Sequence, residues 1–164
     1  MVQQNIELGP CRITVNDVDV GATLGPVRLT IGAIWRERRS DRYGATVTDR
    51  IAVGTQIRVR FRIAEKTRAN LETALPQATA ETDYVSLGRS PGFKASGAAV
   101  SLRLHPEERS DTGRDVLLHK AVATGALELA YGPGTGRAFE VEFVALLDGD
   151  REDGDWLARL YQQD

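Results

Sequence analysis

Residues 53–76 read VGTQIRVRFRIAEKTRANLETALP. The first half alternates strictly: Ile57, Val59, Phe61 and Ile63 in one phase, Arg58, Arg60 and Arg62 in the other. Side chains of a strand point to opposite faces in turn, so this pattern predicts a half-buried β-strand with one apolar and one cationic face. The period then changes. Thr67 is placed to cap a helix, Ala69, Leu71, Ala74 and Leu75 recur at helical spacing, and Pro76 stops it. Arg68 and Glu72, four apart, are positioned to pair on its outer side. A long regular strand feeding a short helix sets the pattern for the whole chain.

The same alternation recurs on either side. Residues 8–20 form a predicted hairpin turning at Asn16-Asp17. Residues 27–38 form a second long strand, with Leu29, Ile31, Ala33 and Trp35 on one face. Further strands are predicted at 83–87, 98–105, 115–122, 126–131 and 138–148. In the last, Phe139, Val141 and Phe143 face inward and Glu140 and Glu142 outward. Residues 156–163 suit either a short helix or an edge strand. Short strands separated by Gly/Pro turns about every 8–12 residues argue for a mainly β protein, an antiparallel sandwich or barrel with one flanking helix.

The 164 residues fit a single domain, and 41% hydrophobic against 27% charged residues is an ordinary globular balance, which argues against disorder. Within it, residues 1–10 read as an N-terminal arm, 36–50 as a long charged hairpin loop and 149–164 as a C-terminal extension. The net charge of −2 gives no global pull toward nucleic acid or membrane surfaces. No leader pattern is visible at the N-terminus and no apolar run approaches the ~20 residues that span a bilayer. Cys11 is the only cysteine, so no intrachain disulfide is possible.

Chemistry-bearing constellations are missing. His105 and His119 lie on separate predicted strands with no Cys or carboxylate at ligand spacing, and Cys11 alternates with apolar residues as a buried thiol would. Gly132-Pro133-Gly134-Thr135-Gly136 precedes a strand and lacks the Lys-Ser/Thr of a phosphate loop. The acidic run from Asp148 to Asp155 lacks the ligand order of a calcium loop. No enzyme activity, cofactor or metal is expected. Two features do attract function. The segment 36–50 carries Arg36, Arg38, Arg39, Arg42 and Arg50 among Glu37, Asp41, Asp49 and Tyr43, and reads either as a solvated loop or as an arm that docks on a neighbouring subunit. The row Arg58, Arg60, Arg62 reads either as a nucleic-acid surface or as cross-strand partners of Glu140 and Glu142, the preferred reading because no aromatic interleaves with the arginines on their own face.

Taken in order, LGPC at 8–11, VGATLG at 20–25, DRYGATVTD at 41–49, Gly54 before the long strand and its helix, DVLLHKAV at 115–122 and RAFEVEFVALLD at 137–148 form a combination. It resembles the tail tube proteins (major tail proteins) of tailed bacteriophages, across residues 8–148. The resemblance implies a virion structural protein that self-assembles into stacked hexameric rings, with long hairpins lining a lumen through which DNA passes. It implies copies of the chain itself, tape-measure, tail terminator and baseplate or tail-tip proteins as partners. Double-stranded DNA would be passed without sequence-specific binding, and no membrane would be involved. The location implied is the virion tail, after synthesis in a bacterial cytoplasm. A typical lumen of that family is acidic, from which the row Arg58, Arg60, Arg62 departs. Alternatives are a tail terminator or initiator, the tube of a contractile apparatus, or, in another class, a monomeric β-sandwich module binding carbohydrate or a small ligand.

Overall fold

The computed structural model describes residues 3–8, 10–107, 112–130, 132 and 138–162. It is mainly β, with eleven strands, one α-helix and two 3-10 turns. The strands are β1 (Gln3–Leu8), β2 (Cys11–Val15), β3 (Val18–Asp19), β4 (Val27–Arg39), β5 (Val47–Ile63), β6 (Ala78–Ala80), β7 (Val85–Leu87), β8 (Val100–Pro106), β9 (Val116–Ala123), β10 (Phe139–Leu146) and β11 (Ala158–Leu160). The helix α1 spans Arg68–Ala74. Nine strands form one antiparallel sheet in the order β1-β4-β5-β10-β9-β8-β2-β3, with β11 also beside β9; β6 and β7 form a small separate hairpin.

The sheet curls back on itself. After β3 the chain runs along β5: Thr23 bridges Ile63, Leu24 N donates to Arg62 O at 2.9 Å, and Ala64 N donates to Ala22 O at 2.8 Å. The far end of the strand path thus returns to its middle, and the strands from β5 round to β3 enclose the core as a barrel. Inside lie Ile13, Val27, Leu29, Val59, Phe61, Leu102, Leu104, Leu118, Phe139 and Phe143, all essentially inaccessible. Phe61 and Phe143 stack with ring centroids 5.8 Å apart.

Local chemistry explains the turns. Asn16 and Asp17 take φ of 49° and 64°, the left-handed pair that suits a two-residue hairpin. Asn16 is further held by its Oδ1, which accepts from Ser101 N at 2.9 Å. Gly21, at φ 85°, takes a left-handed conformation that favours glycine. Thr67 caps α1 by accepting from Asn70 N at 3.2 Å.

The helix differs from its expected form at two points. Ala69 is exposed and Asn70 buried, because the Asn70 amide donates to Val20 O and Glu65 O, both at 2.9 Å, and so ties α1 to the end of β5 and the run after β3. Arg68 does not pair with Glu72; it reaches back to the carbonyls of Glu81 and Thr82.

Other expectations are corrected. The segment 36–50 is not a long loop: Arg36 pairs with Ile51, Glu37 with Arg50, Arg38 with Asp49 and Arg39 with Val47, leaving only 40–46 as the connection, with a 3-10 turn at Asp41–Tyr43. Within the expected N-terminal arm, Gln3–Leu8 is a strand paired with β4 from Gly32 to Val27. Residues 126–130 belong to no strand, although Leu127 and Leu129 pack on the core. Both neighbours of β10 are already taken, by β5 and β9, which leaves no edge there for another strand. In β9 the sequence alternation of Val116, Leu118, Lys120 and Val122 is broken by a bulge: Leu118 pairs with Leu102 but Ala121 with Val100, so Ala121 and Ala123 join the core cluster while Lys120 stays half-buried. Within the segment expected as a short helix or an edge strand, Ala158–Leu160 form an edge strand, β11, along the half of β9 that β10 does not cover. Of the segment 132–136, only Gly132 lies among the described residues.

Candidate assembly surface

The β4–β5 hairpin outgrows the barrel. Its last core pair is Ile31 with Ile57; beyond it, β4 and β5 continue as a two-stranded ribbon with Ala33 opposite Thr55, Trp35 opposite Ala52 and Arg36 opposite Ile51. At about 3.3 Å per residue, seven residues of β4 carry the ribbon some 20 Å past the core. A register shift at Ile34/Trp35 places an extra residue, Val53, in the β5 strand.

Two properties of the ribbon are unusual for an isolated monomer. The first is exposed apolar surface: Ile34, Trp35, Ile51 and Val53 are 43, 47, 48 and 58% accessible. The second is its margins. β1 covers β4 only as far as Gly32, and β10 covers β5 only as far as Arg58. Past those points neither margin has a strand partner among the described residues, so two rows of main-chain donors and acceptors are open for pairing. A two-stranded ribbon is marginal by itself in water.

The residues singled out in 36–50 all lie at this end. Glu37 is the local anchor: Arg39 Nη2 is 2.9 Å from its Oε2 and Arg50 Nη2 3.6 Å from its Oε1, and the Arg39 bond holds the carboxyl below its ordinary range. Thr48 Oγ1 donates to Arg38 O at 3.0 Å and ties the two strands. The Arg42 guanidinium lies 5.8 Å from the Tyr43 ring centroid. Arg36, Arg38 and Arg42 form no side-chain ion pair among the described residues, and Asp41 and Asp49 lie close by in the same ribbon.

The row Arg58, Arg60, Arg62 lies lower, on the barrel, and two of its members, Arg58 and Arg60, meet the acids expected of the row. Arg60 donates through Nε to Glu142 Oε2 at 3.1 Å and through Nη2 to the same oxygen; its Nε is 3.5 Å from Glu140 Oε1. Arg58 Nη1 is 3.7 Å from Glu142 Oε1, and Glu140 stands directly opposite Arg62 in the ladder. This face is a cross-strand ion lattice, each pair contributing about 0.2–1 kcal/mol.

Both histidines have carboxylate partners that spacing could not reveal, since each comes from another part of the chain. His105 Nδ1 is 2.6 Å from Oδ1 of the buried Asp115, with Arg103 Nε 3.9 Å from the other oxygen. His119, its side chain 1% exposed, places Nε2 3.0 Å from Asp155 Oδ1. Burial first, then the charges of Asp115 and Glu107, pushes the Cys11 thiol up to about 12, well away from thiolate chemistry.

The segment 148–162 also acquires a role. It folds back along β9 as a strap: Trp156 O accepts from Asp148 N at 3.0 Å, Leu157 O accepts from His119 N at 3.1 Å, and Tyr161 N donates to Asp115 O at 2.9 Å. Side chains clasp it. Lys120 Nζ is 2.7 Å from Asp148 Oδ1, and Arg159 grips Asp155 with Nε at 3.0 Å and Nη2 at 2.6 Å. No helix is long and apolar enough to cross a membrane among the described residues. No family model and no curated protein matches the chain.

Proposed function

We propose that the chain is a structural subunit that assembles with copies of itself into stacked hexameric rings, forming the tail tube of a tailed bacteriophage and the conduit for its DNA. The observation that carries this reading is the ribbon of β4 and β5, which leaves the barrel with no strand partner on either margin among the described residues and with apolar side chains exposed. Strand margins of this kind are completed by other strands. When copies are arranged around an axis, the β4 margin of one ribbon can pair with the β5 margin of the next, and ring closure leaves no margin over. The ordered resemblance to tail tube proteins supplies the biological setting and the partners: tape-measure, terminator and tail-tip proteins. The ion pairs of Arg58 and Arg60 with Glu140 and Glu142 support the setting as well, because the charge of these two arginines is offset by acids of the same subunit.

Negative-stain microscopy and light scattering of the purified protein over a concentration series test the proposal. Rings or tubes that appear with rising concentration are the expected result. A protein that stays monomeric at every concentration, and is absent from tubes of the virion that encodes it, overturns it.

A further inference from the structure

The ribbon has a counterpart elsewhere on the same chain. Besides the ribbon, the strap carries an exposed apolar group: Leu147, Trp156, Leu160 and Tyr161 are each 41–59% accessible. The two patches differ in the charge around them. Segment 36–50 has five arginines against three acids, a net of two positive charges. Segment 148–155 has five acids against Arg151; even with Lys120 and Arg159 counted against them, two negative charges remain. The uncompensated side chains are matched in kind. Arg36, Arg38 and Arg42 form no ion pair among the described residues, and neither do Asp150, Glu152 and Asp153. The last three border a shallow cleft of about 570 Å³ with Arg151, Asp155 and Arg159.

We infer that the ribbon end of one copy seats on the C-terminal strap of another copy. Ile34 and Ile51, which share a ribbon face with Arg36 and Arg38, meet the apolar surface of Trp156 and Leu160, and Arg36, Arg38 and Arg42 meet Asp150, Glu152 and Asp153. An apolar centre with a charged rim of opposite sign on each side is the arrangement that gives both affinity and register to a protein contact. The two surfaces are different, so the contact is head to tail and propagates from copy to copy. The inference rests on the self-assembly proposed above and names the surface that receives the ribbon.

Cross-linking with defined cysteines reads the contact directly, because Cys11 is buried and its thiol is held protonated. Two full-length variants are made, Arg42→Cys and Asp153→Cys, both at exposed sites. Mixed at assembling concentration and oxidised, they are expected to give a covalent heterodimer in at least tenfold excess over either variant alone. In parallel, the strap reversal Asp150→Lys/Glu152→Lys/Asp153→Lys is expected to raise the assembly concentration by roughly tenfold or more. Adding Arg36→Glu/Arg38→Glu/Arg42→Glu on the same chain is expected to restore it. An unchanged melting curve for each variant shows that the monomer still folds. Wild-type rings or tubes with no cross-link, and with indifference to the strap reversal, overturn this inference and leave the assembly reading standing. A wild-type protein that never assembles overturns both.

Discussion

Asn70 is the polar residue on which the packing of α1 depends. Its amide hydrogens go to two carbonyls from different parts of the chain, Val20 O and Glu65 O, and the side chain is 6% exposed. Asn70→Ala leaves both carbonyls without a donor inside the protein, at a cost of about 1–3 kcal/mol. Urea unfolding of the variant should show that loss in the midpoint with little change in slope; a midpoint equal to wild type would mean the helix is not anchored there. Cys11 makes a simpler prediction. With the thiol pushed up to about 12, a thiol reagent at neutral pH should label it only as the protein unfolds, whereas labelling of the folded protein at the rate of a free thiol would contradict its burial. Asp155 makes a prediction in pH. Arg159 first, and His119 second, hold its carboxyl down at about 2. A carboxyl depressed by folding stabilises the fold above its ordinary value near 4 and loses that contribution as pH falls toward the folded value. The strap should therefore loosen between about pH 4 and about pH 2, seen in the NMR positions of the His119, Asp148 and Tyr161 amides, and Asp155→Asn should abolish that transition.

Among the elements, the ribbon and the barrel should respond to substitution in opposite ways. Phe61→Ala removes a buried, stacked ring and should cost about 3–5 kcal/mol, the range for deleting a core aromatic. Trp35→Asp and Val53→Lys touch side chains that are 47% and 58% exposed and lie beyond the core, so the monomer should keep its stability within about 0.5 kcal/mol while losing the ability to assemble. Calorimetry for the first effect and sedimentation for the second separate them; a ribbon variant that unfolds, or that assembles normally, would remove the ribbon from the assembly surface. The same division governs what could be read before the structure. Strands with a strict period of two, β4, β5, β8 and β10, are plain in the sequence because one face of each is buried, and the Glu140/Glu142 answer to the arginine row follows from the same alternation. The ribbon end of 36–50 was hidden in part because a strand exposed on both faces has no apolar period: Arg39 and residues 47–50 read as loop. The slip in β9 was hidden because a single extra residue is invisible until its partner strand is known. The carboxylate partners of the histidines, and the strap that supplies one of them, depend on contacts far apart in the chain, for which local pattern carries no signal.

At the scale of the whole molecule, a net charge of −2 conceals a polarity. Positive charge gathers at the ribbon end and negative charge on the strap, while the core is apolar. A charge arrangement of this kind contributes little to the stability of one copy, because its exposed groups are well solvated and screened. It contributes to association when the positive patch of one copy meets the negative patch of another. Raising sodium chloride from about 0.1 M to about 1 M shortens the screening length from about 10 Å to about 3 Å. Assembly measured by light scattering should then need a clearly higher protein concentration, and the shift should disappear in the chain whose ribbon arginines and strap acids are both neutralised, Arg36→Gln/Arg38→Gln/Arg42→Gln with Asp150→Asn/Glu152→Gln/Asp153→Asn. The melting temperature of the monomer should move little over the same range, since Ile13, Leu29, Val59, Phe61, Phe139 and Phe143 hold the barrel by burial, which screening does not weaken. Assembly indifferent to salt would leave the bare ribbon margins and their apolar side chains as the sole source of association, and the charge polarity without a part in it.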